Sequence, residues 1–136
     1  MKRALIISGI IILLFSCINA RKLINNDRID RIYFGKRGGF TNIPLEYVLF
    51  EKGQLFKIRN DTLLRIHKIS RIQMETIDSL LMVCEFNELN IDEYGNITYF
   101  IKVVRNGYEK VANWSDISEV NNLKKLYNAL LTTIKK

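Results

Sequence analysis

The sequence predicts an α+β domain: an antiparallel sheet of about five strands with two helices, in the order β-β-β-α-β-β-α, after a cleaved signal peptide. Three observations carry this. Several segments alternate apolar and polar residues at period two between short turn signals. Two later segments repeat apolar residues at helical spacing. Each helical segment follows a hairpin, and tight hairpins make antiparallel pairs whose apolar face a helix stripe can cover.

The chain opens with Lys2 and Arg3, continues through the apolar run Ala4–Phe15, and reaches Ser16 and Cys17. Twelve helical residues rise about 18 Å, against a hydrocarbon core of about 30 Å, and Ser8 and Gly9 interrupt the run. A signal peptide over residues 1–16 fits better than a permanent span. Two other readings stay open: cleavage after Ala20, giving a secreted soluble protein, and a buried N-terminal core helix. Residues 17–28 are polar and lack a period, so they are expected to form a tether, with a single domain over 29–136.

Within that domain Ile29–Phe34 is expected to be a first strand, with Gly35 and Gly38-Gly39 marking a turn or bulge. Ile43–Phe50 alternates: Ile43, Leu45, Tyr47 and Leu49 share one face, Pro44, Glu46, Val48 and Phe50 the other. Glu51-Lys52-Gly53 turns the chain into Gln54–Arg59, and Asn60-Asp61 ends that strand. Leu63–Ile66 suggests a short further strand. Ser70 with Gln73 is a capping box, flanked by Ile69 and Met74 at the staple positions. Ile77, Leu80, Leu81 and Cys84 then make one stripe, so a helix is expected near Arg71–Glu85. Phe86–Gly95 reads as a loop. Asn96–Arg105 and Tyr108–Trp114 flank Asn106-Gly107, the strongest hairpin signal in the chain. Asp116 with Glu119 offers a second helix start, and Val120, Leu123, Tyr127, Leu130, Leu131 and Ile134 form its stripe.

The order basic head, short apolar run, Leu14-Phe15-Ser16, Cys17 resembles the export signal and lipobox of bacterial lipoproteins, over residues 1–17. The resemblance implies that the Cys17 thiol carries a diacylglyceryl group and that the signal is cut before it. The membrane would then be a partner through that lipid, and two or three acyl chains exceed the one-chain case in which anchoring is marginal. The implied address is the bacterial cell envelope; no acidic run follows Cys17, which favours the periplasm-facing side. Gly38-Gly39-Phe40-Thr41, Glu46-Tyr47 and Gly53-Gln54-Leu55-Phe56 are similar to segments of small envelope lipoproteins with a Gly-Gly-aromatic turn, a family that supplies no activity to carry over.

Loss of Lys2 and Arg3 from 21 basic residues leaves 19 against 14 acidic ones, a mature charge of +5. With Cys17 lipidated, Cys84 has no disulfide partner and is expected to be a small buried hydrophobe. His67 is the single histidine, and no Gly-x-Ser-x-Gly elbow is present, so a nucleophilic triad has no material. One histidine and one free cysteine do not make a typical zinc site, and no cofactor is expected. Gly35-Lys36-Arg37-Gly38-Gly39 lacks phosphate-loop spacing; it is expected to be a basic turn that presents Lys36 and Arg37 to an anion. Lys36, Arg37, Lys57 and Arg59 are therefore the candidate anion or partner contacts. Phe34, Phe40, Tyr47, Tyr99, Tyr108 and Trp114 are candidates either for the core or for a ligand platform. The resulting expectation is a membrane-anchored envelope lipoprotein that binds rather than catalyses, with an envelope protein as partner. Recognition of anionic envelope lipid or glycan by the basic surface is the alternative. Nucleic acid is not expected, and the oligomeric state is left open.

Overall fold

A computed structural model describes residues 24, 26 and 28–135. Cys17, the expected signal and most of the expected tether lie outside the described residues. The elements are β1 (Arg31–Gly38), β2 (Leu45–Phe50), β3 (Gln54–Arg59), β4 (Thr62–Lys68), α1 (Arg71–Val83), β5 (Ile97–Arg105), β6 (Tyr108–Ser115) and α2 (Asn121–Thr132). The six strands form one antiparallel sheet in the order β4-β3-β2-β1-β5-β6. The α+β class and its two helices are as expected, with one strand more than the expected order. The extra strand grows from the short Leu63–Ile66 segment. Asn60 and Asp61 both adopt positive φ (48° and 58°) and turn β3 directly into β4.

Gly35 does not mark a turn. It sits inside β1, opposite Glu46 of β2 and Phe100 of β5. A methyl group there would lie 2.0 Å from the Leu45 carbonyl oxygen, so only glycine lets β1 and β2 approach this closely. The turn itself comes after Gly38, and β1 remains straight enough to pair with β5 from Arg31–Val104 to Gly38–Ile97. That pairing joins the N-terminal four strands to the C-terminal hairpin.

Helix α1 starts as its sequence dictates. Ser70 Oγ accepts from the Gln73 amide, and the Gln73 side chain accepts from the Ser70 amide. Ile77 and Leu81 turn inward, and Cys84 closes the helix. Helix α2 begins later than Asp116 and Glu119 suggest, with Val120 as an N-cap that makes no side-chain hydrogen bond. Ser118 is the reason. Its Oγ accepts from the Ser115 amide (2.9 Å) and donates to Glu93, while its own amide donates to the Ser115 carbonyl (3.2 Å). This closes a turn over 115–118 before the helix can form.

Both helices lie on one face of the sheet. Ile32, Phe34, Tyr47, Leu49, Leu55, Ile101, Val103, Ala112 and Trp114 meet Ile77 and Leu81 of α1 and Leu123, Leu126, Tyr127 and Leu130 of α2. Tyr99, Trp114 and Tyr127 form an aromatic triangle with centroids 5.3–5.9 Å apart. The other face carries a smaller cluster of Val48, Phe50 and Phe56, packed against Ile24, Ile29, Tyr33, Ile58 and Leu63.

Candidate functional site

Cross-strand pairs point to the same side of a sheet, so the register sorts the four basic candidates. Lys57 is opposite Tyr47, a residue of the helix-side core. Arg59, two residues on, shares that side. Lys36 is opposite Tyr99 and Leu45, both packed against the same core. Lys36, Lys57 and Arg59 therefore share the helix side of the sheet.

Arg37 does not join them. It lies in a strand rather than a turn, and adjacent strand residues point to opposite faces. Its Nε donates to Glu46 Oε1 at 2.8 Å, and its guanidinium sits 4.5 Å from the Phe100 ring centroid. The expectation that Lys36 and Arg37 jointly face an anion is corrected by that alternation.

The three remaining cations occupy one corner. Lys57 and Arg59 are about 7 Å apart along β3. Extending the Glu46–Ile58 register by one residue sets Arg59 beside Leu45, and hence about 10 Å across two strand spacings from Lys36. None of the three forms an ion pair among the described residues. Their mutual repulsion at such spacings costs only about 0.5 kcal/mol per pair in water, so the corner tolerates being uncompensated.

The β1–β2 connection rises at the same end of the sheet. It exposes Phe40 (107%) and Ile43 (71%), the sharpest apolar exposure in this part of the chain. The sequence places Phe40 among six aromatics and in a Gly-Gly-aromatic turn, and Ile43 on a strand face; β2 in fact starts at Leu45. The signal for Phe40 was the Gly38-Gly39 pair before it. Both glycines take positive φ, and they throw the following residue outward.

A sheet-face aromatic platform does not form. Phe34, Tyr47 and Trp114 are buried and Tyr99 packs on them, while Tyr108 is exposed at the opposite end of the sheet from Phe40.

The remaining polar groups serve structure. Tyr47 and Tyr127 are held neutral by burial, which pushes both hydroxyls up, and burial also raises the Cys84 thiol. His67 faces the helix side opposite Leu55, and its Nδ1 is buried without a hydrogen-bond partner. Among the described residues no group of three acidic, histidine or cysteine side chains is placed to hold a metal ion. Asn113 donates to Asp92 Oδ1 (2.8 Å) and to the Tyr94 hydroxyl (3.2 Å), pinning the loop before β5 to the edge of β6. The Asn113 bond, and after it one from the Tyr94 hydroxyl, hold the Asp92 carboxyl below its ordinary value. The Glu93–Ser118–Ser115 chain fastens the same loop. A groove of about 460 Å³ between the end of α1 and the start of α2 is lined by Cys84, Leu89, Ile91, Glu119, Val120 and Leu123. Its single charge is negative, so it does not suit the anion that the basic corner suits.

No protein-family model matches the chain, and no curated protein matches it. Among the described residues no helix is long and apolar enough to cross a membrane.

Proposed function

We propose that this chain is a lipid-anchored protein of the bacterial envelope, held at the membrane through Cys17, whose domain binds an acidic partner protein rather than catalysing a reaction. The observation that carries the binding role is the corner: Lys36, Lys57 and Arg59, without carboxylate partners among the described residues, at the end of the sheet where the β1–β2 connection exposes Phe40 and Ile43. The anchor is supported by the order Lys2-Arg3, Ala4–Phe15, Ser16-Cys17. A protein partner accounts for both halves of the corner. Burying a phenylalanine contributes about 1.5–3 kcal/mol, whereas each rim charge pair adds about 0.2–1 kcal/mol. Phe40 would supply most of the affinity, and the cations would supply encounter rate and register. Recognition of an anionic glycan is the second reading, favoured by the cations and leaving Ile43 without a role.

A photocrosslinking residue at Ile43, in intact cells, separates these. A discrete protein adduct is expected, reduced about tenfold or more by Phe40→Ala and by a smaller factor with Lys57→Gln/Arg59→Gln. An adduct indifferent to both changes would contradict the proposal, and glycan-only adducts would transfer the site to the second reading.

A further inference from the structure

The polypeptide reaches the domain over the sheet face opposite the helices. Ile24 and Ile29 pack there against Val48, Phe50 and Phe56. Arg31, only 8% exposed, holds the approach in place. Its Nη1 donates to the Asn26 carbonyl (2.9 Å) and the Ile29 carbonyl (3.0 Å), and its Nε donates to the Tyr33 hydroxyl (2.9 Å). The last part of the segment that the sequence suggested as a tether is therefore fastened to the domain.

This shortens the reach available to an anchor at Cys17. Seven residue steps separate Cys17 from Ile24, and even fully extended they span about 25 Å. The domain behind Ile24, a sheet and one layer of helices each about 10–12 Å in diameter, is about 20 Å deep. Turning the helices toward the bilayer would require an almost fully stretched tether that also passes around a sheet edge. Turning the helix-free face toward it requires neither. That face carries the exposed cation Arg65, opposite Phe56 in the register, and Arg28 is exposed on the chain approaching it. Both suit an anionic phospholipid surface.

We infer that the helix-free face of the sheet is the side turned to the bilayer, and that an anionic phospholipid surface is its partner. This rests on Cys17 being the lipidated residue. Lys36, Lys57 and Arg59, on the opposite side, then look into the aqueous compartment, so their acidic partner is not a lipid headgroup.

The test uses the full-length lipidated protein in vesicles of phosphatidylethanolamine and phosphatidylglycerol bearing a headgroup-linked nitroxide quencher. A fluorophore is placed at Val111→Cys, which shares the helix-free face with Tyr33 and leaves Arg65 intact, or at Ile72→Cys on α1, which is 75% exposed; Cys84, 6% exposed, is sheltered from labelling. Quenching several-fold stronger at position 111 than at 72 is expected, and the difference should shrink when about ten Gly/Ser residues are inserted after Ala20. Equal or reversed quenching would overturn the orientation. The mass of the Cys17 peptide is read from the same preparation. A bare Cys17 removes the anchor and the orientation together, whereas a lipidated Cys17 with equal quenching removes the orientation alone.

Discussion

Replacing Gly35 by alanine should damage this fold more than its size suggests. The added Cβ would sit 2.0 Å from the Leu45 oxygen and 3.0 Å from Glu46 Cα. Both neighbours are backbone, so no side chain can swing aside, and β2 would have to retreat by about an ångström to restore ordinary contact. Overpacking of this kind costs about 1–3 kcal/mol, and each β1–β2 hydrogen bond lost adds about 0.5–1.5 kcal/mol. A total of about 2–4 kcal/mol is expected, against a stability of about 5–15 kcal/mol for a domain of this size. Urea unfolding followed by Trp114 fluorescence measures it, since that residue is 1% exposed and reports the core. Gly107→Ala is the control. Nothing lies within 4 Å of its added Cβ, and its penalty comes only from φ +79° in the Asn106-Gly107 turn, about 1–2 kcal/mol. If Gly35→Ala unfolds within about 0.5 kcal/mol of the unaltered protein, the close approach of β1 and β2 is not real and the register around it is wrong.

Two further outcomes follow from local chemistry. Ser70→Ala removes the reciprocal cap of α1 and should lower stability by about 1 kcal/mol in the same urea assay, with Ser70→Gly costing less. The Asp92 carboxyl should titrate below an ordinary aspartate in an NMR pH series, because Asn113 and Tyr94 hydrogen-bond its charged form, and Asn113→Ala should move that midpoint upward. The sign is that of a depressed acid. Its contribution to stability is complete above the unfolded aspartate value and is lost as pH falls through the lower folded value.

The parts of the fold that the sequence revealed are those whose signals are local and chemically specific. Ser70 and Gln73 set the start of α1 because both partners of the cap lie within one turn. Asn106 and Gly107 set the β5–β6 turn because both adopt positive φ (51° and 79°), which asparagine tolerates and which glycine, without a Cβ, adopts freely. The misreadings arose where a local pattern was overruled by something distant. Gly35 resembles a turn residue, but it is a strand glycine selected by the Leu45 carbonyl across the sheet. Asp116 and Glu119 have capping-box spacing, yet Ser118 is already engaged by Ser115 and by Glu93, 25 residues away. β4 was undercounted because it is an edge strand: Thr62, Arg65 and Lys68 are exposed, and this blurs its alternation.

The candidate site divides the same way. Lys36, Lys57 and Arg59 could be named from charge alone. That Arg37 faces away, and that Phe40 and Ile43 are exposed at the same end of the sheet as the others, follows only from the strand register and the turn.

The anchor is tested most directly by growing cells with an alkyne-bearing fatty acid and reading the label on this protein after attachment of a reporter. The unaltered chain should incorporate it and fractionate with membranes, and Cys17→Ala should do neither. Equal labelling of both, or an unlabelled native protein that still begins at Met1, would contradict the anchor and with it the envelope role built upon it.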